Sequence, residues 1–112
     1  MICRCEENCL VFEGDNIPSD GVYVFTRKNA NSYALFTQKQ FSDFSEKLKS
    51  ADKTDDERIK YVMRFIFGSA IEVKMENGSF YLPPAFELTE ILKTEVSGEC
   101  IEIICEKRIS IP

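Results

Sequence analysis

Two kinds of hydrophobic spacing divide the chain. Val22–Thr26 and Ser32–Phe36 are runs of β-branched, aromatic and apolar residues flanking Arg27-Lys28-Asn29-Ala30-Asn31. That pattern predicts a hairpin with the basic pair at its tip. Thr37 and Gln40 follow at capping-box spacing, where the Thr hydroxyl accepts from the third helical N–H and the Gln side chain reaches back. Phe41, Phe44 and Leu48 then recur at helical period, predicting a helix of about three turns with one buried stripe. Thr54 and Glu57 repeat the capping box, and Ile59, Val62, Met63 and Ile66 give the second helix its apolar face. Lys49–Lys53 between them is the most polar linker.

Past the helices the period returns to two. Ile71–Met75 alternates apolar and charged residues, Asn77-Gly78 marks a turn, and Phe80–Leu82 resumes the strand. Pro83-Pro84 stops it, and Pro84 suits the first position of a short helix reaching Leu92. Gly98 marks a bend, and Cys100–Ile104 and Arg108–Ile111 form a closing pair around Cys105-Glu106-Lys107. The two ends echo one another: Ile17-Pro18, Val22–Phe25 and Tyr33–Phe36 parallel Leu82-Pro83, Ile101–Ile104 and Arg108–Ile111. This is a weak two-fold repeat with a shortened first arm.

Composition fits that reading. The 112 residues are 44% apolar and 29% charged, as in one soluble globular domain. Nine Phe and four Tyr argue against disorder. No apolar run approaches the roughly 20 residues that cross a bilayer, so no membrane partner is expected. Acids precede any apolar stretch in MICRCEENC, which is not a secretory signal, and the expected location is the cytoplasm.

Charge and reactive groups narrow the chemistry. Lys and Arg number 14 against 19 Asp and Glu, a net charge of −5 that opposes simple nucleic-acid binding. Histidine is absent, which excludes Ser–His, Cys–His and His-ligated metal enzymes. Cys3, Cys5, Cys9, Cys100 and Cys105 are odd in number and lack C-x2-C spacing, so free thiols are expected rather than a metal site. Glu99, Glu102 and Glu106 are spaced as strand and turn residues, not as a catalytic set. Asp52, Asp55, Asp56 and Glu57 lack the spacing and glycine of a calcium loop and fit a helix start. Phe65, Phe67, Phe80 and Tyr81 have acidic neighbours and are assigned to packing rather than base stacking. Neither an enzyme nor a cofactor is expected.

Arg64-Phe65-Ile66-Phe67-Gly68-Ser69-Ala70, then Glu72, Asn77-Gly78 and Leu82-Pro83-Pro84-Ala85, resemble the middle signature of MraZ proteins. Val24-Phe25-Thr26-Arg27, Leu35-Phe36, Phe41 and Lys47-Leu48 are similar to the family's first-half strands and helix, and Ile101–Ile111 to its closing hairpin. The resemblance covers roughly residues 17–112. It implies an α+β fold of two AbrB-like swapped-hairpin half-units with two central helices: a single domain over 1–112, with 1–50 the shortened first half and 51–112 the second. It further implies a homo-oligomer, ring-forming in that family, with the helices' apolar stripes partly buried between subunits. Such proteins bind repeated DNA sites and regulate the division and cell-wall gene cluster through a D-x-x-x-R motif in each half.

Here the motif is lost. Counting back from Leu82-Pro83 puts the family's Asp at Met75 and its Arg at Ser79. Counting back from Ile17-Pro18 puts the first Arg at Gly14. Arg27, Lys28 and Arg4 are left as the candidate phosphate contacts, while Lys107-Arg108 is assigned to solvated charge. Two functions are therefore expected: transcriptional regulation by a divergent MraZ-like oligomer, nucleoid-associated if it binds DNA, or an oligomeric protein-interaction module that has lost DNA binding.

Overall fold

The computed structural model describes residues 1–29, 31–52, 57–83 and 91–105. It is an α+β molecule of mostly antiparallel strands with two helices. The elements are β1 (Ile2–Glu6), β2 (Cys9–Glu13), β3 (Gly21–Asn29), β4 (Ser32–Thr37), α1 (Gln38–Asp52), α2 (Glu57–Ser69), β5 (Ile71–Met75), β6 (Ser79–Tyr81), β7 (Ile91–Val96) and β8 (Ile101–Cys105). They build a three-stranded sheet, β1-β2-β6, and a five-stranded sheet, β5-β3-β4-β8-β7.

The core lies between the inner faces of the two sheets. Alternation turns Leu10, Phe12 and Phe80 of one sheet toward Phe25, Tyr33 and Ile103 of the other, all buried. Phe25 stacks on Tyr33 with centroids 5.1 Å apart and meets Phe80 edge-on at 5.3 Å. Both are aromatic geometries favoured by the ring quadrupoles. A smaller cluster covers the back of the five-stranded sheet, where Phe41 and Phe44 of α1 pack on Phe36. The capping box at the start of α1 closes reciprocally: Thr37 N–H donates to Gln40 Oε1 at 2.9 Å, and Gln40 N–H to Thr37 Oγ1 at 3.0 Å. The second capping box begins at Thr54, outside the described residues.

The end of α2 is fixed to β3 by a buried polar knot. Thr26 Oγ1 donates to the Ile66 carbonyl and lies 2.8 Å from Ser69 Oγ, which accepts the Arg27 N–H at 3.0 Å. These bonds satisfy a carbonyl of the last helical turn that has no partner within the helix.

A two-fold repeat runs through the strands at a constant offset of 70 positions. Leu10 pairs with Phe80 and Tyr33 with Ile103, so a pseudo-dyad passes through both pairs. Around it the relations exchange. Cys9 pairs with Tyr81 as Val11 does with Ser79, and Leu82 N–H donates to Asn8 O at 2.7 Å as Phe12 N–H does to Gly78 O at 2.8 Å. The turn Glu7-Asn8 matches Asn77-Gly78, all four residues with positive φ (48°, 65°, 52° and 77°). β3 and β7 are offset by 67 instead: Arg27 faces Tyr33 while Thr94 faces Ile103, because more residues separate β7 from β8.

Several expectations are corrected by this arrangement. The echo aligns the N-terminal hairpin β1–β2 with β5–β6, not Ile17-Pro18 with Leu82-Pro83. Arg27 and Lys28 lie within β3, which runs to Asn29 because its ladder with β4 continues through a bulge; they are not the hairpin tip. Ile91 and Leu92 belong to a strand rather than to a helix end. The expected Arg108–Ile111 partner lies outside the described residues, and both edges of β8 are already taken by β4 and β7 over that stretch. Among the described residues no helix is long and apolar enough to cross a membrane.

Candidate nucleic-acid interface

The three candidate phosphate contacts lie on three different surfaces. Arg4 projects from the outer face of the three-stranded sheet, where its guanidinium contacts Glu6 and lies 2.7 Å from Glu13. Arg27 faces inward beside Tyr33 and is only 8% exposed. Lys28 sits on the outer face of the five-stranded sheet with Nζ 3.0 Å from Glu102 Oε1. The fold brings no two of them into one patch.

Their electrostatics follow from those partners. Burial works against the Lys28 ammonium, but the hydrogen bond and field of Glu102, with Cys100 and Glu99 nearby, outweigh it and raise its pKa. Burial likewise pushes Glu102 up, and the Lys28 ammonium overcomes this and holds the carboxylate below its ordinary value. Arg4 and Lys28 are thus each matched to an anion already in place that a phosphate would have to displace, while Arg27 is buried. A phosphate contact gains most when the cation gives up only loosely held counterions.

The offset of 70 relocates the motif positions. Met75 and Ser79, where the resemblance puts the family's Asp and Arg, correspond to Cys5 and Cys9, not to a pair ending at Gly14. Met75 is fully buried in the core. Cys9 and Ser79 lie on the outer face of the three-stranded sheet, in register with Tyr81 and Val11. Flanking them are two ion pairs that repeat one another, Arg4–Glu6 and Lys74–Glu76, the latter at 3.2 Å. The first-half hairpin escaped detection because its alternating positions are filled by cysteines and its turn by Glu7-Asn8, neither a usual strand signal.

The remaining candidates divide as follows. Phe80 is core and Phe67 packs edge-on against Phe41 at 5.8 Å, whereas Tyr81, for which core or subunit packing is expected, is 80% exposed within the chain. Glu99 is paired with Lys47 at 3.0 Å. The five thiols are free, with Cys3, Cys100 and Cys105 buried. Burial, then the neighbouring Cys5 and Cys105, push the Cys3 pKa up to about 12, which leaves a protonated and unreactive thiol. Among the described residues no group of three or more His, Cys, Asp or Glu is placed to hold a metal ion. A groove of about 620 Å³ runs between α1 and the Gly98-Glu99 bend, where Asp43, Glu46 and Glu99 face Lys47. Compared with protein-family models, curated protein sequences and solved structures, the chain matches none.

Proposed function

We propose that this chain is a divergent MraZ-like transcriptional regulator of the bacterial division and cell-wall gene cluster, acting on DNA as a cytoplasmic, nucleoid-associated homo-oligomer. The observation that carries the reading is the exchange of hairpins between halves. β6 of the second half mates with β2 of the first, while its hairpin partner β5 joins β3. Two AbrB-like swapped-hairpin units in one domain, drawn at 1–50 and 51–112, require such an exchange. The repeated strands fit them, with α1 and α2 between.

A second reading is favoured by the charges. Arg4 is held between two carboxylates, Arg27 is buried, and Lys28 is tied to Glu102. An oligomeric protein-interaction module on the same scaffold needs none of them free.

A mobility-shift assay on a duplex carrying repeated sites separates the two. DNA binding predicts a shift whose affinity falls with salt, with a log–log slope of about −0.9 per phosphate contacted, and Arg4→Glu weakens it. An assembled oligomer that gives no shift at low salt sinks the regulator reading and selects the module.

A further inference from the structure

Beside the first hairpin turn, Glu6, Glu7, Cys9, Val11 and Tyr81 line a groove of about 520 Å³. It opens on the outer face of the three-stranded sheet. Register fixes its composition: Glu6, Cys9 and Tyr81 form one cross-strand row, and Val11 stands in the next. Tyr81 is the most exposed large hydrophobic residue described, and it stands in the end pair of the β2–β6 ladder, opposite Cys9. Its pseudo-dyad mate Val11 is half-buried, so the exposed ring belongs to one half only.

We propose that this groove docks an arginine-bearing extended segment of a partner protein. The floor of Val11 and Cys9 suits the aliphatic stem of an arginine. The open ring of Tyr81 presents a π-face to a guanidinium, and the Glu7 carboxylate stands beside it as the acceptor, with Glu6, already paired to Arg4, adding negative field. Arg4 is the cation of the adjoining row, and Glu6 and Glu13 already neutralise it. This surface holds Ser79, where the resemblance puts the second-half arginine, and its repeat mate Cys9. Its polarity is therefore reversed, and it selects a cation. The inference rests on the groove alone and holds whether or not the chain binds DNA elsewhere.

The test is an NMR titration of the full chain with an end-blocked pentapeptide carrying one arginine among glycines, at low and high salt. Expected are saturable shifts confined to amides of Glu6–Val11 and Ser79–Leu82. Tyr81→Ala should weaken binding by roughly two- to five-fold, as an exposed cation–π contact implies, and Glu7→Gln should weaken it further. Tyr81 is exposed, so an otherwise unchanged spectrum of the variant verifies that the fold is intact. Weaker binding of the lysine peptide supports stacking. No shift, shifts scattered over the surface, equal response to a glutamate-centred peptide, or unchanged affinity in Tyr81→Ala would each overturn the proposal. A DNA mobility shift lost while the peptide titration survives, or the reverse, separates this inference from the regulator reading.

Discussion

Thr26 illustrates how much one hydroxyl can decide. It lies fully buried on β3, donates to the Ile66 carbonyl and contacts Ser69 Oγ, and so ties α2 to the sheet beside the Arg27 N–H bond to Ser69. Thr26→Val keeps the shape but removes the bond to the Ile66 carbonyl and the contact with Ser69 Oγ, leaving Ile66 O with only the long 3.5 Å contact from Ser69 Oγ. The expected loss is about 1–3 kcal/mol in urea unfolding, larger than for an exposed Thr→Val change. Lys28 and Glu102 make a contrasting pair, part-exposed at 31% and 19% of their side chains. Its contribution should be modest, roughly 0.5–1 kcal/mol near neutral pH. The pH signs differ for the two partners. Glu102 is lowered in the fold, so its share is present above the ordinary carboxylate pKa and lost as pH falls through the folded value. Lys28 is raised, so its share is present below the ordinary ammonium pKa and lost as pH rises through the folded value. The stability gap between the native chain and Lys28→Gln should therefore be widest between those limits and close toward both. A gap independent of pH would show that the lysine stem, not its charge, supplies the contact.

At the scale of elements, the two equivalent turns solve one backbone problem with different residues. Asn77-Gly78 suits two positive φ values, whereas Glu7 at 48° places a side chain in the left-handed region without the local hydrogen bonding that helps Asn or Asp. Glu7→Gly should stabilise the hairpin by roughly 0.5–1 kcal/mol in thermal or urea unfolding. Gly78→Ala should cost on the order of 1–2 kcal/mol, since φ is +77° and its Cβ would stand 3.2 Å from both Phe12 O and Ile17 Cδ1. These turns also explain what sequence could show. Asn77-Gly78, the Thr37–Gln40 capping box and the Phe41–Phe44 stripe are local signals, and the structure contains each of them. The β1–β2 hairpin is hidden because Cys3 and Cys5, at alternate positions of β1, do not read as strand, and its turn is not a turn dipeptide. The dispersal of Arg4, Arg27 and Lys28 was equally hidden. Which face of a strand a cation occupies depends on register, and the bulge that carries β3 on to Asn29 is not written in any local pattern.

Over the whole molecule the pseudo-dyad makes a comparison that no single strand allows. β5 pairs with β3 through five registered residues, from Gly21–Met75 to Phe25–Ile71. The dyad-related junction is β1 with β7, the two strands that stand at the edges of their sheets. They approach each other, and among the described residues no ladder joins them; Met1, Ile2, Cys3, Ile91, Lys93 and Thr94 line a gap of about 250 Å³ there. Thr94 Oγ1 is buried at this seam without a hydrogen-bond partner. Local opening should start where backbone groups have no ladder partner. Native-state hydrogen exchange should then show the seam-facing amides of β1 and β7 exchanging well before those of β3 and β5. Thr94→Val, which removes the orphaned hydroxyl at nearly constant volume, should slow the β7 amides and be neutral or stabilising overall. Equal protection at both junctions would mean that β1 and β7 are joined as firmly as β3 and β5, and would overturn this expectation.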